Sequence, residues 1–81
     1  MEFKLNQEEL HILQAVKHLN ERGEKSDYYQ VVDEAGADTG LTVPVVARLE
    51  DDGYITTNGI IYRYCHITDK GRKTLADNNM A

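Results

Sequence analysis

The spacing of apolar residues changes at Gly53, and that change does most to limit what this chain can fold into. Before Gly53, apolar residues recur every three or four positions, the period of a helix with one buried face. After it, Tyr54-Ile55-Thr56-Thr57 and Ile60-Ile61-Tyr62-Arg63-Tyr64-Cys65-His66-Ile67 are rich in β-branched and aromatic residues, as strands are. Asn58-Gly59 lies between the two runs. A two-residue type I′ turn needs positive φ at both central positions, which this dipeptide tolerates, so the spacing predicts a hairpin turning there. An isolated hairpin is marginal in water and must lay an apolar face on the helices. If Ile67 points inward, alternation turns Cys65 and Ile61 inward too, and Tyr62, Tyr64 and His66 outward.

Three helices are expected before the hairpin and one after it. Asn6 followed by Glu9 is a capping-box pattern, with Leu5 and Leu10 placed as a hydrophobic staple. Ile12, Leu13, Ala15, Val16 and Leu19 continue the stripe to Arg22, and Gly23 stops a helix of about 7–22. Ser26 or Asp27 caps a short second helix, which buries Tyr28, Val31, Val32 and Ala35 and ends at Gly36. Residues 37–41 read as a turn. Thr42 then caps a third helix with Pro44 in its first turn, where the missing N–H does no harm, and Val45, Val46 and Leu49 face the core. Thr68 caps a last helix over 69–77, with Leu75 and Ala76 reaching back to the core and Gly71 weakening its first turn. Residues 78–81 read as a frayed tail. The expected architecture is α+β, a three-helix core with a hairpin laid against it.

At 81 residues the chain makes one domain, 1–81, ordered over about 5–77. Its longest aliphatic stretch, Val43–Ala47, is far below the ~20 residues that span a bilayer, and no signal-peptide core opens the sequence. One cysteine makes no internal disulfide, which fits a reducing compartment, and a cytoplasmic protein is expected. Lys+Arg is 9 and Asp+Glu 14, a net charge of −5. Residues 1–40 hold four basic and nine acidic side chains, whereas 41–81 hold five of each. The second half is therefore the better place for an anionic partner.

Three stretches in order resemble the winged helix-turn-helix domain. Val31-Val32-Asp33-Glu34-Ala35-Gly36 is similar to its second helix and glycine exit. Val45 through Ile55 looks like the end of a recognition helix running into the first wing strand. Ile67-Thr68-Asp69-Lys70-Gly71-Arg72 is close to the Leu-Thr-Glu-Lys-Gly-Arg segment that follows the wing in regulators of the MarR and PadR type. The likeness covers roughly residues 7–77. It implies a third helix entering the major groove and a wing beside it. Carried over residue by residue, the positions implied to meet DNA are Thr39, Thr42 and Val43 on the helix and Asn58 and Arg63 on the wing. Lys70, Arg72 and Lys73 follow the wing and are suited to phosphate. The match sets about Gly40, Leu41, Val43, Pro44 and Ala47 at the base edges; none of them offers a hydrogen bond, so polar readout falls to Thr39 and Thr42, with apolar contact to a thymine methyl open to Val43.

Winged helices also serve as protein-contact modules. The second expectation is therefore a homodimer or an accessory to a regulator, docking through Val43, Pro44, Ala47, Tyr62 and Tyr64, because exposed aromatic residues are enriched at interfaces.

Other constellations carry less. His11 and His18 lie two helical turns apart, roughly 10 Å, too far to share a metal. Cys65 and His66 are neighbours on a strand and point to opposite faces, so they do not form a nucleophilic pair. Glu8-Glu9 and Glu50-Asp51-Asp52 read as solvated faces. No cofactor, metal, membrane or small-molecule substrate is expected, and the chain is not expected to be an enzyme.

Overall fold

A computed structural model of the chain describes residues 5–60 and 63–80. These form α1 (Gln7–Glu21), α2 (Tyr28–Ala35), α3 (Thr39–Asp51), β1 (Ile55–Asn58), β2 (Tyr64–Ile67) and α4 (Asp69–Asp77) in chain order. The class is α+β, as the change of period at Gly53 implied. One core joins Leu13, Val16 and Leu19 of α1 to Val31 of α2, Val46 and Leu49 of α3, Ile55 and Cys65 of the sheet and Leu75 of α4.

The first helix starts as its sequence dictates. Asn6 Oδ1 accepts the Glu9 N–H at 2.8 Å, and Glu9 Oε1 accepts the Asn6 N–H at 2.9 Å. Glu9 is not on a solvated face, however. It is buried, and its second oxygen accepts from Arg48 Nη1 at 2.9 Å, so the cap of α1 is also a tie to α3. Asp27, not Ser26, caps α2.

The third helix begins earlier than expected. Asp38 is its cap, accepting from Gly40 N at 2.9 Å, and only residues 37 and 38 separate it from α2's terminal Gly36. A carboxylate cap on the first free N–H groups outcompetes a hydroxyl four residues later. Thr42 is consequently inside the helix, fully buried, with its Oγ1 donating to Asp38 O at 2.9 Å. Pro44 is then internal to α3 and not in its first turn. Its missing N–H removes the bond that the Gly40 carbonyl would otherwise accept from position 44, and both residues face water.

The hairpin is wider than a two-residue turn. Ile55 pairs with Ile67, Thr56 with His66, Thr57 with Cys65 and Asn58 with Tyr64. Asn58 is thus a strand residue, Gly59 alone of the dipeptide has positive φ (109°), and the connection runs over 59–63. Turning at Asn58-Gly59 would set Ile55 opposite Tyr62. The observed register sets Ile55 opposite Ile67 and keeps Cys65 on the same buried face. Burial of an entire face therefore overrides the local turn preference. Cys65 and Ile67 point inward as expected; Ile61 and Tyr62 lie outside the described residues.

Thr68 caps α4 through Gly71 N, as expected. Leu75 is buried, but Ala76 is exposed. Residues 78–80 are not a frayed tail: Asn79 turns left-handed at φ 60°, Met80 N donates to Leu75 O at 2.8 Å, and Met80 packs on the core. This is a helix-closing motif with asparagine in the glycine position. Gln14 Nε2 donates to the Met80 carbonyl at 3.1 Å and holds it against α1.

Candidate nucleic-acid interface

The side chains that the resemblance assigns to DNA fall in three places. On α3, Thr39, Gly40, Val43, Pro44 and Ala47 are exposed, and so is Leu41. Val43 is 42% and Leu41 56% accessible, high values for large apolar side chains. At about 100° per residue, Gly40, Pro44, Ala47 and Asp51 run along the outward centre of the helix, opposite Thr42, Val46 and Leu49. Val43 and Arg48 flank that line. Thr42 is removed from the set of groove residues, because a buried threonine bonded to the Asp38 carbonyl presents nothing to a base.

The wing is tied to the end of α3. Arg63 Nη2 donates to Thr57 Oγ1 at 2.7 Å and lies 3.7 Å from Glu50 Oε2, and the Thr57 hydroxyl donates to the same Glu50 oxygen. Arg63 is exposed but not a free cation, since Glu50 already neutralises it. Asn58 is exposed at the end of β1, while Tyr64, opposite it, is half-buried.

Lys70 also has a structural post. Its Nζ donates to Asp52 O at 2.6 Å and stands 4.5 Å from the centre of the Tyr54 ring. A cation there meets the negative end of α3 and offsets the acidic run Glu50-Asp51-Asp52. Arg72 and Lys73 are the unengaged pair. Both are exposed, and among the described residues no hydrogen bond or ion pair occupies either side chain.

Among the described residues nothing at this surface resembles a reactive centre. Burial pushes the Cys65 thiol up to about 12, with the Glu50 charge adding to the shift, so the sulfur stays protonated and inert. His18 Nδ1 is 3.9 Å from Glu34 Oε2, a loose contact on the other side of the fold. Arg22 forks the same Glu34 at 2.6 and 3.1 Å and holds its carboxyl below the usual range. Among the described residues no cluster of His, Cys, Asp and Glu is arranged to hold a metal ion, and no helix is long and apolar enough to cross a membrane.

This order of helices, with a hairpin between the third and the fourth, defines a winged-helix domain. Solved structures share it closely. The protein AF1382 of Archaeoglobus fulgidus superposes with a TM-score of 0.80 at 13% identity, over 93% of this chain and 84% of that one. Bordetella bronchiseptica BpsR, whose DNA binding is regulated by 6-hydroxynicotinic acid, gives 0.82 at 18% identity over 91% of this chain and 52% of its own. Staphylococcus aureus MepR, a transcription regulator of the multidrug efflux pump MepA, gives 0.76 at 14% identity over 95% and 57%. The chain therefore spans about half the length of those two regulators. The winged-helix resemblance read from the sequence is thus shown at the level of fold, and its neighbours include transcription regulators of the MarR family. No family model and no curated protein matches the sequence itself.

Proposed function

We propose that this domain binds duplex DNA in the manner of a small transcription regulator, with the outward face of α3 in the major groove, the wing beside it, and Arg72 and Lys73 on phosphate. The observation that carries the reading is the exposed first half of α3, presented on a fold that BpsR and MepR share. The helix packs its Thr42, Val46 and Leu49 face completely and leaves its opposite face without any cover from the described residues. Arg72 and Lys73 supply cations that no internal carboxylate has claimed. In this reading the protein acts in the cytoplasm and is not an enzyme.

Electrostatics set the expected strength. The net charge is −5, and Arg63 and Lys70 are both engaged inside the fold. Two or three phosphate contacts give a slope of log K against log salt of roughly −2 to −3, a weak and salt-sensitive interaction. Fluorescence anisotropy of a labelled mixed-sequence duplex at ~20 and ~150 mM salt tests the reading. Binding that weakens steeply with salt supports it. No binding at tens of micromolar at the lower salt rejects it, and Leu41, Val43, Pro44 and Ala47 then become a protein-docking face.

A further inference from the structure

We propose that α3 reads the C5-methyl groups of thymine in the major groove, so that the domain prefers duplexes rich in thymine at the positions it covers. The proposal rests on the DNA-binding reading above and specifies which duplex that surface favours.

The outward face of α3 has few groups able to hydrogen-bond a base. A major groove presents hydrogen-bonding groups at every base pair, and its one apolar feature is the thymine methyl. Side chains that read the polar groups are Arg, Lys, Asn, Gln, Asp, Glu, Ser and Thr. In the first three turns of α3 the Thr42 hydroxyl is spent on the Asp38 carbonyl, and Arg48 is held by buried Glu9 at 2.9 Å. Only Thr39, at the very start of the helix, keeps a free hydroxyl among these positions. Everything else turned outward is apolar: Leu41, Val43, Pro44 and Ala47, with Gly40 adding no side chain.

The shape of the face agrees with its chemistry. Gly40, Pro44 and Ala47 are small and lie along the outward centre, so nothing long keeps the helix axis away from the groove floor. Val43 at the flank and Leu41 at the leading end then reach the methyl-bearing edges. A helix meeting bases with polar side chains would leave those groups unpaired at a wrong sequence. This one discriminates by covering a methyl group or failing to. Burying one methyl group amounts to about a fourfold change in affinity, and two independent contacts exceed tenfold.

The test compares two pools of labelled mixed-sequence duplex at ~20 mM salt, one containing thymine and one with uracil in its place. Base pairing is the same in both, and only the C5-methyl is lost. The thymine pool should bind about fourfold tighter or more. A Leu41→Ser, Val43→Ser double variant keeps the fold, because both side chains are exposed. It should bind both pools equally, near the wild-type affinity for uracil. Equal wild-type affinity for the two pools overturns the methyl reading and leaves DNA binding intact. Retention of the thymine preference in the double variant overturns it as well, since the methyl is then sensed elsewhere. Failure to bind either pool removes the DNA-binding reading itself and the methyl reading with it.

Discussion

Asn20 completes the sheet from outside it. Its Oδ1 accepts the Ile67 N–H at 2.8 Å and its Nδ2 donates to the Cys65 carbonyl at 3.0 Å. Both groups lie on the edge of β2 that faces away from β1, so one side chain of α1 replaces part of a third strand. Ser26 does the rest, donating from Oγ to the Cys65 carbonyl at 2.5 Å and accepting the Cys65 N–H on its own carbonyl at 2.9 Å. Asn20→Leu leaves the Ile67 N–H unpaired at a partly buried edge and should lower stability by ~1–3 kcal/mol. Ser26→Ala should cost less, because the Cys65 carbonyl keeps Asn20 and the backbone pair survives. Urea unfolding of the two variants ranks them, and the reverse order would show that Asn20 is not the main support of that edge.

Gly71 has a steric reason for being glycine. A Cβ there would stand 2.4 Å from the Tyr54 carbonyl oxygen and 2.7 Å from Ile67 Cγ1. Propensity alone makes Gly→Ala in a helix stabilising by ~0.5–1 kcal/mol. The contact with a backbone carbonyl reverses the sign, and Gly71→Ala should destabilise by ~1–3 kcal/mol. Thermal unfolding followed by circular dichroism reads the sign directly. A raised midpoint would mean that α4 shifts away from Tyr54 at little cost.

These two residues mark where the sequence stops being informative. Element types and order were legible, because they follow from periodicity and caps: Asn6 with Glu9, Asp27 as one of two candidates, Thr68, and Gly53 closing α3. Boundaries failed where two signals competed. Thr42 reads as a cap in the sequence, but Asp38 four residues earlier takes that place and Thr42 is buried inside α3. Asn58-Gly59 signals a tight turn, but pairing Ile55 with Ile67 buries more. The candidate site was legible as positions and not as states. That Arg63 lies beside Glu50, and Lys70 at the Asp52 carbonyl, depends on contacts between segments brought together by the fold. Gly71 looked like a weak point in a helix because its neighbour, Tyr54, is distant in sequence.

Cys65 should behave as a buried, protonated thiol. Its ordinary value of 9.0 is pushed up to about 12, chiefly by burial. In the unfolded chain the thiol ionises near 9, whereas in the native state it does not. Stability from this group is therefore complete below about pH 9 and falls as pH rises from there towards 12. A Cys65→Ala variant should lack that part of the slope in urea titrations over this range. At pH 8.5, iodoacetamide should label Cys65 quickly in denaturant and negligibly in the native protein. Fast native labelling would show that the edge of β2 opens readily.

The acidic end of α3 should limit DNA binding, and relieving it should strengthen binding. Glu50 engages Arg63 at 3.7 Å and accepts from Thr57, so the wing's arginine approaches phosphate already neutralised. Glu50→Gln removes that charge while keeping a group able to accept from Thr57. Affinity at ~20 mM salt should rise several-fold, and the salt slope should steepen by about one phosphate contact, ~0.9. Reversing the free pair with Arg72→Glu and Lys73→Glu should do the opposite. Both positions are exposed and unpartnered among the described residues, so the fold should hold while duplex binding is lost. The two variants together locate the phosphate surface. If Glu50→Gln changes nothing, the wing stays clear of the backbone. If the double reversal leaves affinity unaltered, the start of α4 lies outside the interface and the cations that carry binding are elsewhere.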